Sequence, residues 1–246
     1  NWGDEYNQRY PQTRMGAEQF MYNELLRAKE YGEVKQIKTR SRKGKKKNQP
    51  QKKRDDPFRK DLQLEALLEV LNSERFVTCH SYVQSEINML MHLADSLGFT
   101  LNTFTHILEG YKLADKMKAH GAAASTFSDW WAYKYEVKDA IPHNASILNR
   151  MGVLTAINSD DAEMGRRLNQ EAAKAIRYGG MSEEDALKLV TINPAKILHI
   201  DEHTGSLAPG KDADLVIWTD HPLSVFAKAE KTYVDGRLYF DRKEME

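Results

Sequence analysis

Two imidazoles and a carboxylate recur at equivalent places along this 246-residue chain. His80 closes the run Arg75-Phe76-Val77-Thr78-Cys79, His106 closes Thr100 to Thr105, and Asp160 stands just after Val153 to Asn158. A further run, Ala122 to Thr126, ends in Ser125-Thr126. Short apolar runs of this kind predict buried strands. Helical spacing follows each, near 85–97, 111–119, 145–150 and 166–178. Strand alternating with helix predicts an α/β architecture with parallel strands, whose carboxyl ends share one rim. In closed α/β barrels that rim carries the active site. Two imidazoles and a carboxylate gathered there suit a catalytic Zn²⁺, which activates water. Each residue alone has a plainer reading: a histidine after a strand as a hydrogen-bonded structural group, an aspartate before a helix as its cap. Their shared register is what points to chemistry.

Other residues are candidates by position. Trp130, Trp131, Tyr133 and Tyr135 fall in the loop after the third strand, either as an aromatic wall facing substrate or as packing against the helices. His143, in Ile141-Pro142-His143-Asn144, is a candidate substrate contact or a helix-start residue. His92 and His120 sit at helical positions and are expected to face solvent, whereas His199, His203 and His221 fall in the tail as structural residues. Cys79, the single cysteine, reads as a buried small hydrophobe rather than a nucleophile, and it excludes any disulfide framework within the chain. There is no phosphate-binding glycine loop, dinucleotide fingerprint or Ser-His-Asp order.

The elements that must position these groups are readable from pattern and punctuation. Thr13 to Tyr31 has helical spacing, and Asp61 to Asn72 is a strongly amphipathic helix with an aspartate at its start. Near the other end, Ser182 with Asp185 three residues on reads as a helix start in capping-box style. Thr191 to His199 is a short helix with Pro194 near its start. Leu215-Val216-Ile217-Trp218 is a strand, and Thr232–Val234 and Arg237–Tyr239 form a hairpin around Asp235-Gly236. Residues 1–200 are therefore expected as the α/β part and 201–246 as an appended β element.

Lys and Arg balance Asp and Glu at 36 each, but the charge is unevenly placed. Residues 35–60 hold 13 Lys/Arg against Asp55 and Asp56, a local excess of +11. Such a block repels itself and has little to bury, which predicts a mobile surface loop over about 35–57. It reads as a solvated insertion or as a patch for an acidic partner; nucleic acid is disfavoured because no aromatic interleaves the charges. No apolar run reaches 18 residues, so no membrane-spanning helix is expected. The start Asn1-Trp2-Gly3, without Met, reads as not a natural translation start.

A family resemblance rests on the tail. Thr191-Ile192-Asn193-Pro194-Ala195-Lys196-Ile197-Leu198, then Gly205-Ser206-Leu207-Ala208-Pro209-Gly210-Lys211-Asp212-Ala213-Asp214-Leu215-Val216, resembles the C-terminal signature of metal-dependent amidohydrolases. The branch is the imidazolonepropionase-like and Xaa-dipeptidase-like one. Val234-Asp235-Gly236-Arg237 is similar to the family's closing strands. Pro11-Gln12-Thr13-Arg14-Met15-Gly16 is similar to a stretch of its secreted bacterial members, a lean toward a periplasmic or secreted location that the sequence does not otherwise settle.

The resemblance implies His80 and His106 as metal ligands at the ends of barrel strands five and six. It implies Asp160, in Asn158-Ser159-Asp160-Asp161, as the ligand after strand eight that takes the proton of the attacking water. Physically, the metal, or a histidine such as His106, can polarise the scissile carbonyl. The expected fold is the second half of a TIM-like (β/α)8 barrel, strands five to eight, followed by strands of a small β-sandwich. The family's His-x-His motif is absent: the first histidine of this chain is His80. The implied activity is hydrolysis of an amide or cyclic amide, in a dipeptide-like or imidazolone-like substrate, with one or two Zn²⁺ ions or another divalent metal. It is complete only with a second chain that supplies the first barrel half. Half a barrel exposes two strand edges, so association is expected. The alternative is a non-catalytic half-barrel subunit whose basic loop binds an acidic partner.

Overall fold

A computed structural model of the chain describes residues 9–44, with side chains up to 38, and residues 58–244. It resolves into two compact units: residues 1–77 with 89–100, and residues 78–88 with 101–246. The C-terminal sheet falls in the same unit as the parallel strands.

The first unit is built on two helices, α1 (Arg14–Gly44) and α2 (Leu62–Leu71). Asp61 caps α2, its carboxylate accepting the Gln63 and Leu64 amides at 3.0 and 3.2 Å. Gly32 lies where a Cβ would stand 2.7 Å from a Leu68 methyl, so the missing side chain lets α1 close on α2. Helix α1 runs on through residues 35–44, where composition predicts loop. The reason is pairing with residues distant in sequence. Lys35 donates to both oxygens of Glu65 at 2.7 Å, the Tyr31 hydroxyl reaches Glu65 at 2.5 Å, and the Lys38 ammonium lies 5.7 Å from the Phe58 ring centre. Glu65 on α2 and Phe58 ahead of it offset, at Lys35 and Lys38, the self-repulsion that composition alone registers. The rest of the predicted loop, residues 45–57, lies outside the described residues.

The second unit carries a four-stranded sheet in the order β1 (Val77–His80), β2 (Leu101–Thr105), β3 (Ala123–Thr126), β4 (Thr155–Ile157). The β2–β3 and β3–β4 pairs are parallel, with Thr105 opposite Ser125 and Ser125 opposite Ala156. Between the strands run α3 (Gln84–Leu97), α4 (Ala114–His120) and α5 (Asn144–Arg150). After β4 come α6 (Ala162–Gly165), α7 (Leu168–Gly179), α8 (Glu183–Lys188) and α9 (Ile192–Ile197). The helix expected near 166–178 is α7, with the short α6 added before it, and the strand expected over 153–158 is only three residues. The β4 edge is occupied: Ile157 donates its amide to the Leu189 carbonyl at 3.0 Å, and the Asn193 side chain donates to the Thr155 carbonyl at 2.8 Å.

Ser182 caps α8 as expected, accepting the Asp185 amide at 3.1 Å. His120, expected to face solvent, instead accepts the Leu101 amide at 3.3 Å. A second, antiparallel sheet follows: β5 (Leu215–Trp218), β6 (Ala229–Val234) and β7 (Arg237–Asp241). Its turn places Asp235 at φ 50° and Gly236 at φ 73°, the left-handed pair that a two-residue hairpin needs.

Under the carboxyl ends of β2 and β3 lies a buried polar knot. Asn144, 1% exposed, accepts the Tyr111 amide at 2.8 Å and donates to the Ile107 carbonyl at 2.7 Å and to the Thr126 hydroxyl at 2.9 Å. Thr126 donates to the same Ile107 carbonyl at 2.8 Å. Replacing Asn144 by Leu keeps the branched outline of the side chain and strands the Tyr111 amide. We expect a loss of about 2–4 kcal/mol, read as a lower urea midpoint at constant slope.

Candidate active site

The knot fixes a turn that carries the first candidate. His106 leaves β2 with φ 58°, the left-handed region, and the next residue is pinned from both sides. Ile107 donates its amide to the Ser125 carbonyl at 3.1 Å, and its own carbonyl is held by Thr126 and Asn144. On one flank, Ser81 donates to the Thr105 carbonyl at 3.1 Å; on the other, Asn158 donates to the Thr126 carbonyl at 3.0 Å. The ladder therefore continues past the strands, and at this edge the side chains of His80, His106, Asn158 and Ser125 meet in a row.

The two imidazoles meet. Their ring centres are 4.6 Å apart at 53°. Rings continue from each. His80 packs edge-on to Tyr82 at 4.7 Å, and His106 stacks on Phe127 at 4.9 Å. Phe127 stacks on Trp130 at 4.4 Å, and Trp130 meets Tyr133 edge-on at 5.5 Å. The Tyr133 and Tyr82 hydroxyls, 3.4 Å apart, close the circuit. The Lys134 ammonium lies 4.2 Å from the centre of the Tyr82 ring. The loop that carries these rings is tied to the scaffold. Ser128 donates to the Glu171 carbonyl at 2.7 Å, the Trp130 indole lies 2.9 Å from the Met164 sulfur, and Lys174 bridges Asp129 and Glu171 at 2.8 Å.

The two adjacent aspartates divide their roles. Asp161 caps α6, accepting the Glu163 and Met164 amides at 2.9 Å. Asp160 stands at φ 52° with its charge felt at both His106 and Tyr133. Burial pushes the His106 imidazole below its ordinary pKa, the neighbouring His80 lowers it further, and Asp160 opposes both. Loss of solvation, the Tyr82 hydroxyl and the charges of Glu136 and Asp160 push the Tyr133 phenol up, so it stays protonated at neutral pH. Burial, aided by the Glu86 charge, also pushes the Cys79 thiol up, which fits an inert side chain.

The remaining candidates separate. Trp130 and Tyr133 join the circuit, whereas Trp131 turns to Tyr178, with ring centres 6.1 Å apart. His143 is exposed at the start of α5 and takes no part in the circuit. Sequence reasoning did not single out Tyr82, Phe127, Lys134 or Asn158 as site residues. The signal for Tyr82 is its place two residues after His80; for Asn158 it is the end of β4. A cavity of about 730 Å³ lies between α7–α9 and the C-terminal sheet, but none of the candidate residues lines it.

The donor chemistry suits a divalent cation in part. Two imidazoles converge, and the Asn158 amide nitrogen stands 3.1 Å from Nδ1 of His106, which leaves Nε2 as the nitrogen for a ligand. Among the described residues, no three His, Cys, Asp or Glu side chains stand close enough together to hold an ion. The His80–His106 pair thus offers two nitrogen donors, and Asp160 does not join them in a three-donor cluster among the described residues.

Because folding lowers the His106 pKa, the unfolded chain takes up that proton first as pH falls. The contribution of this group to stability is whole above about pH 6.5 and declines below it. In an NMR titration His106 should show a midpoint below that of free imidazole. His80→Ala should return it part of the way, burial being the larger cause.

Residues 30–238 match the family model described as the amidohydrolase family. The chain is 31% identical to an amidohydrolase from Thermotoga maritima MSB8 of known structure, with a TM-score of 0.79 over 94% of this chain and 57% of that one. It is 27% identical over 192 residues to the amidohydrolase tasK of Hapsidospora irregularis, covering 76% of this chain and 20% of that protein. It is 27% identical over 166 residues to the imidazolonepropionase of Thermoplasma volcanium, covering 64% of this chain and 40% of the relative. The chain thus spans well under half the length of these two curated relatives. With a family match over most of its length, a parallel α/β sheet and a histidine pair at the strand ends, the chain belongs to the amidohydrolase family.

Proposed function

We propose that this chain contributes the second half of the active site of a metal-dependent hydrolase that cleaves a C–N bond. The observation that carries the reading is the meeting of His80 and His106 at 4.6 Å on adjacent strand ends, with the Asp160 charge reaching His106. In this reading β1 to β4 are strands five to eight of a (β/α)8 barrel, and the C-terminal sheet belongs to a small β-sandwich. The missing donors come from the first barrel half, supplied either by a segment preceding these residues or by a second polypeptide.

His80 and His106 would hold the divalent metal, zinc by the chemistry of the donors, with Asp160 beside them. When bound, such an ion brings the pKa of a water toward ~7 and polarises a carbonyl. Asp160 accepts the water proton and passes it to the leaving nitrogen. In the state in which His106 does not ligate the metal, its neutral ring can instead present an N–H to the carbonyl oxygen, and the protonated Tyr133 phenol donates to polar groups of the substrate. Phe127 and Trp130 keep water from that side of the site. Such a wall suits a compact substrate: a dipeptide, or a cyclic amide as the imidazolonepropionase likeness favours.

The test uses the purified protein with whatever polypeptide accompanies it. Elemental analysis should find zinc or a similar metal, and a panel of dipeptides and cyclic amides should contain a substrate. Asp160→Asn should lower kcat by about 10²–10⁴-fold. Joint replacement of His80 and Asp160 should remove both metal and turnover. Turnover untouched by Asp160→Asn and by chelation would sink the hydrolase reading. A monodisperse species at the 28.3 kDa of this chain, melting cooperatively, would sink the second-chain reading.

A further inference from the structure

We propose that Asn158, seated on Ser125, is a positioning residue that sets which ring nitrogen of His106 carries the proton. The three side chains stand on successive strand ends. Asn158 is fixed to β3 through its backbone amide, which donates to the Thr126 carbonyl at 3.0 Å. Its side-chain oxygen accepts the Ser125 hydroxyl at 2.7 Å, and its amide nitrogen stands 3.1 Å from Nδ1 of His106. The imidazole itself is held by stacking on Phe127 at 4.9 Å and by His80 at 4.6 Å, so the ring has a fixed direction and the proton position is the remaining variable.

A neutral imidazole has one donor and one acceptor nitrogen. An amide N–H aimed at Nδ1 requires a lone pair there, which puts the proton on Nε2 and presents His106 as a donor. A half-turn of the Asn158 amide uses the same heavy atoms in the opposite sense. Its oxygen then accepts from Nδ1–H, its nitrogen donates to Ser125, and Nε2 presents a lone pair. The Ser125 hydroxyl can donate or accept, so neither state loses a hydrogen bond. One side chain thereby decides whether His106 acts as hydrogen-bond donor or as metal ligand. This extends the proposed metal site by the outer partner that orients a ligating histidine.

The test is nitrogen NMR on the full chain with labelled histidine, free of metal and well above the pH of imidazole titration, with His106 assigned through His106→Gln. Wild-type protein should carry the proton on Nε2. Asn158→Asp, which can only accept, should move it to Nδ1 and shift the tautomer ratio by about tenfold or more. Ser125→Ala loosens the amide from the other end and should leave a mixture of both forms. Zinc alone, added to wild type, should bring the proton to Nδ1, and Asn158→Leu should weaken zinc binding by about 10–100-fold. The same tautomer in wild type and Asn158→Asp would overturn the proposal. If zinc fails to bind at all, the metal reading falls while the tautomer comparison still decides the role of Asn158.

Discussion

A parallel sheet brings every strand to the same edge at the same level, and that constraint generates the site. Neighbouring strands lie about 4.8 Å apart. The 4.6 Å between the His80 and His106 rings is that spacing expressed in side chains, since both residues close adjacent strands. The same geometry explains why the carboxylate does not complete a three-donor cluster. Asp160 follows β4, two strands from β2, and β3 intervenes between them. Ser125 and Asn158 fill the row between them by hydrogen bonds. The charge of Asp160 reaches His106 across that row without direct contact being required.

Two residues leave the row in the left-handed region, His106 at φ 58° and Asp160 at φ 52°. Such backbone costs about 1–3 kcal/mol each and persists only where the surroundings over-determine it. For His106 the surroundings are visible: the carbonyl of the next residue is held by two buried donors, Asn144 and Thr126, and its amide by Ser125. For Asp160 the following aspartate is locked as a helix cap, which fixes where the chain must go next. In both cases the bend falls on a residue to which the proposed function gives chemistry. The support falls on neighbours that have none.

Local chemistry was legible in the sequence. The Asp61 and Ser182 caps, the Asp235-Gly236 turn and the order of strands and helices follow from residues within a few positions of one another. What was not legible depends on partners far along the chain. Residues 35–44 read as loop because the composition does not show Glu65 waiting on α2. Trp130 and Trp131 are neighbours in an irregular loop with no periodicity to tell them apart, yet one stacks on Phe127 and the other faces Tyr178. Asn158 looks like any polar residue at a strand end until the folded β3 and β4 bring its side chain to the Ser125 hydroxyl.

The electrostatics follow from the same placement. Two imidazoles at ring contact resist carrying charge together, and the one further inside is also desolvated by Phe127 and its neighbours. The nearby carboxylate pulls the other way but ranks behind burial and the second imidazole. The balance keeps His106 neutral where free histidine begins to protonate. Neutrality is the common requirement of both roles open to this ring, since a cationic imidazole has no lone pair to offer a metal and cannot be switched between donor and acceptor. The aromatic circuit therefore does more than shape a pocket. By excluding water from one face of His106 it holds the ring in the charge state that the hydrogen bonds of its neighbours can then direct.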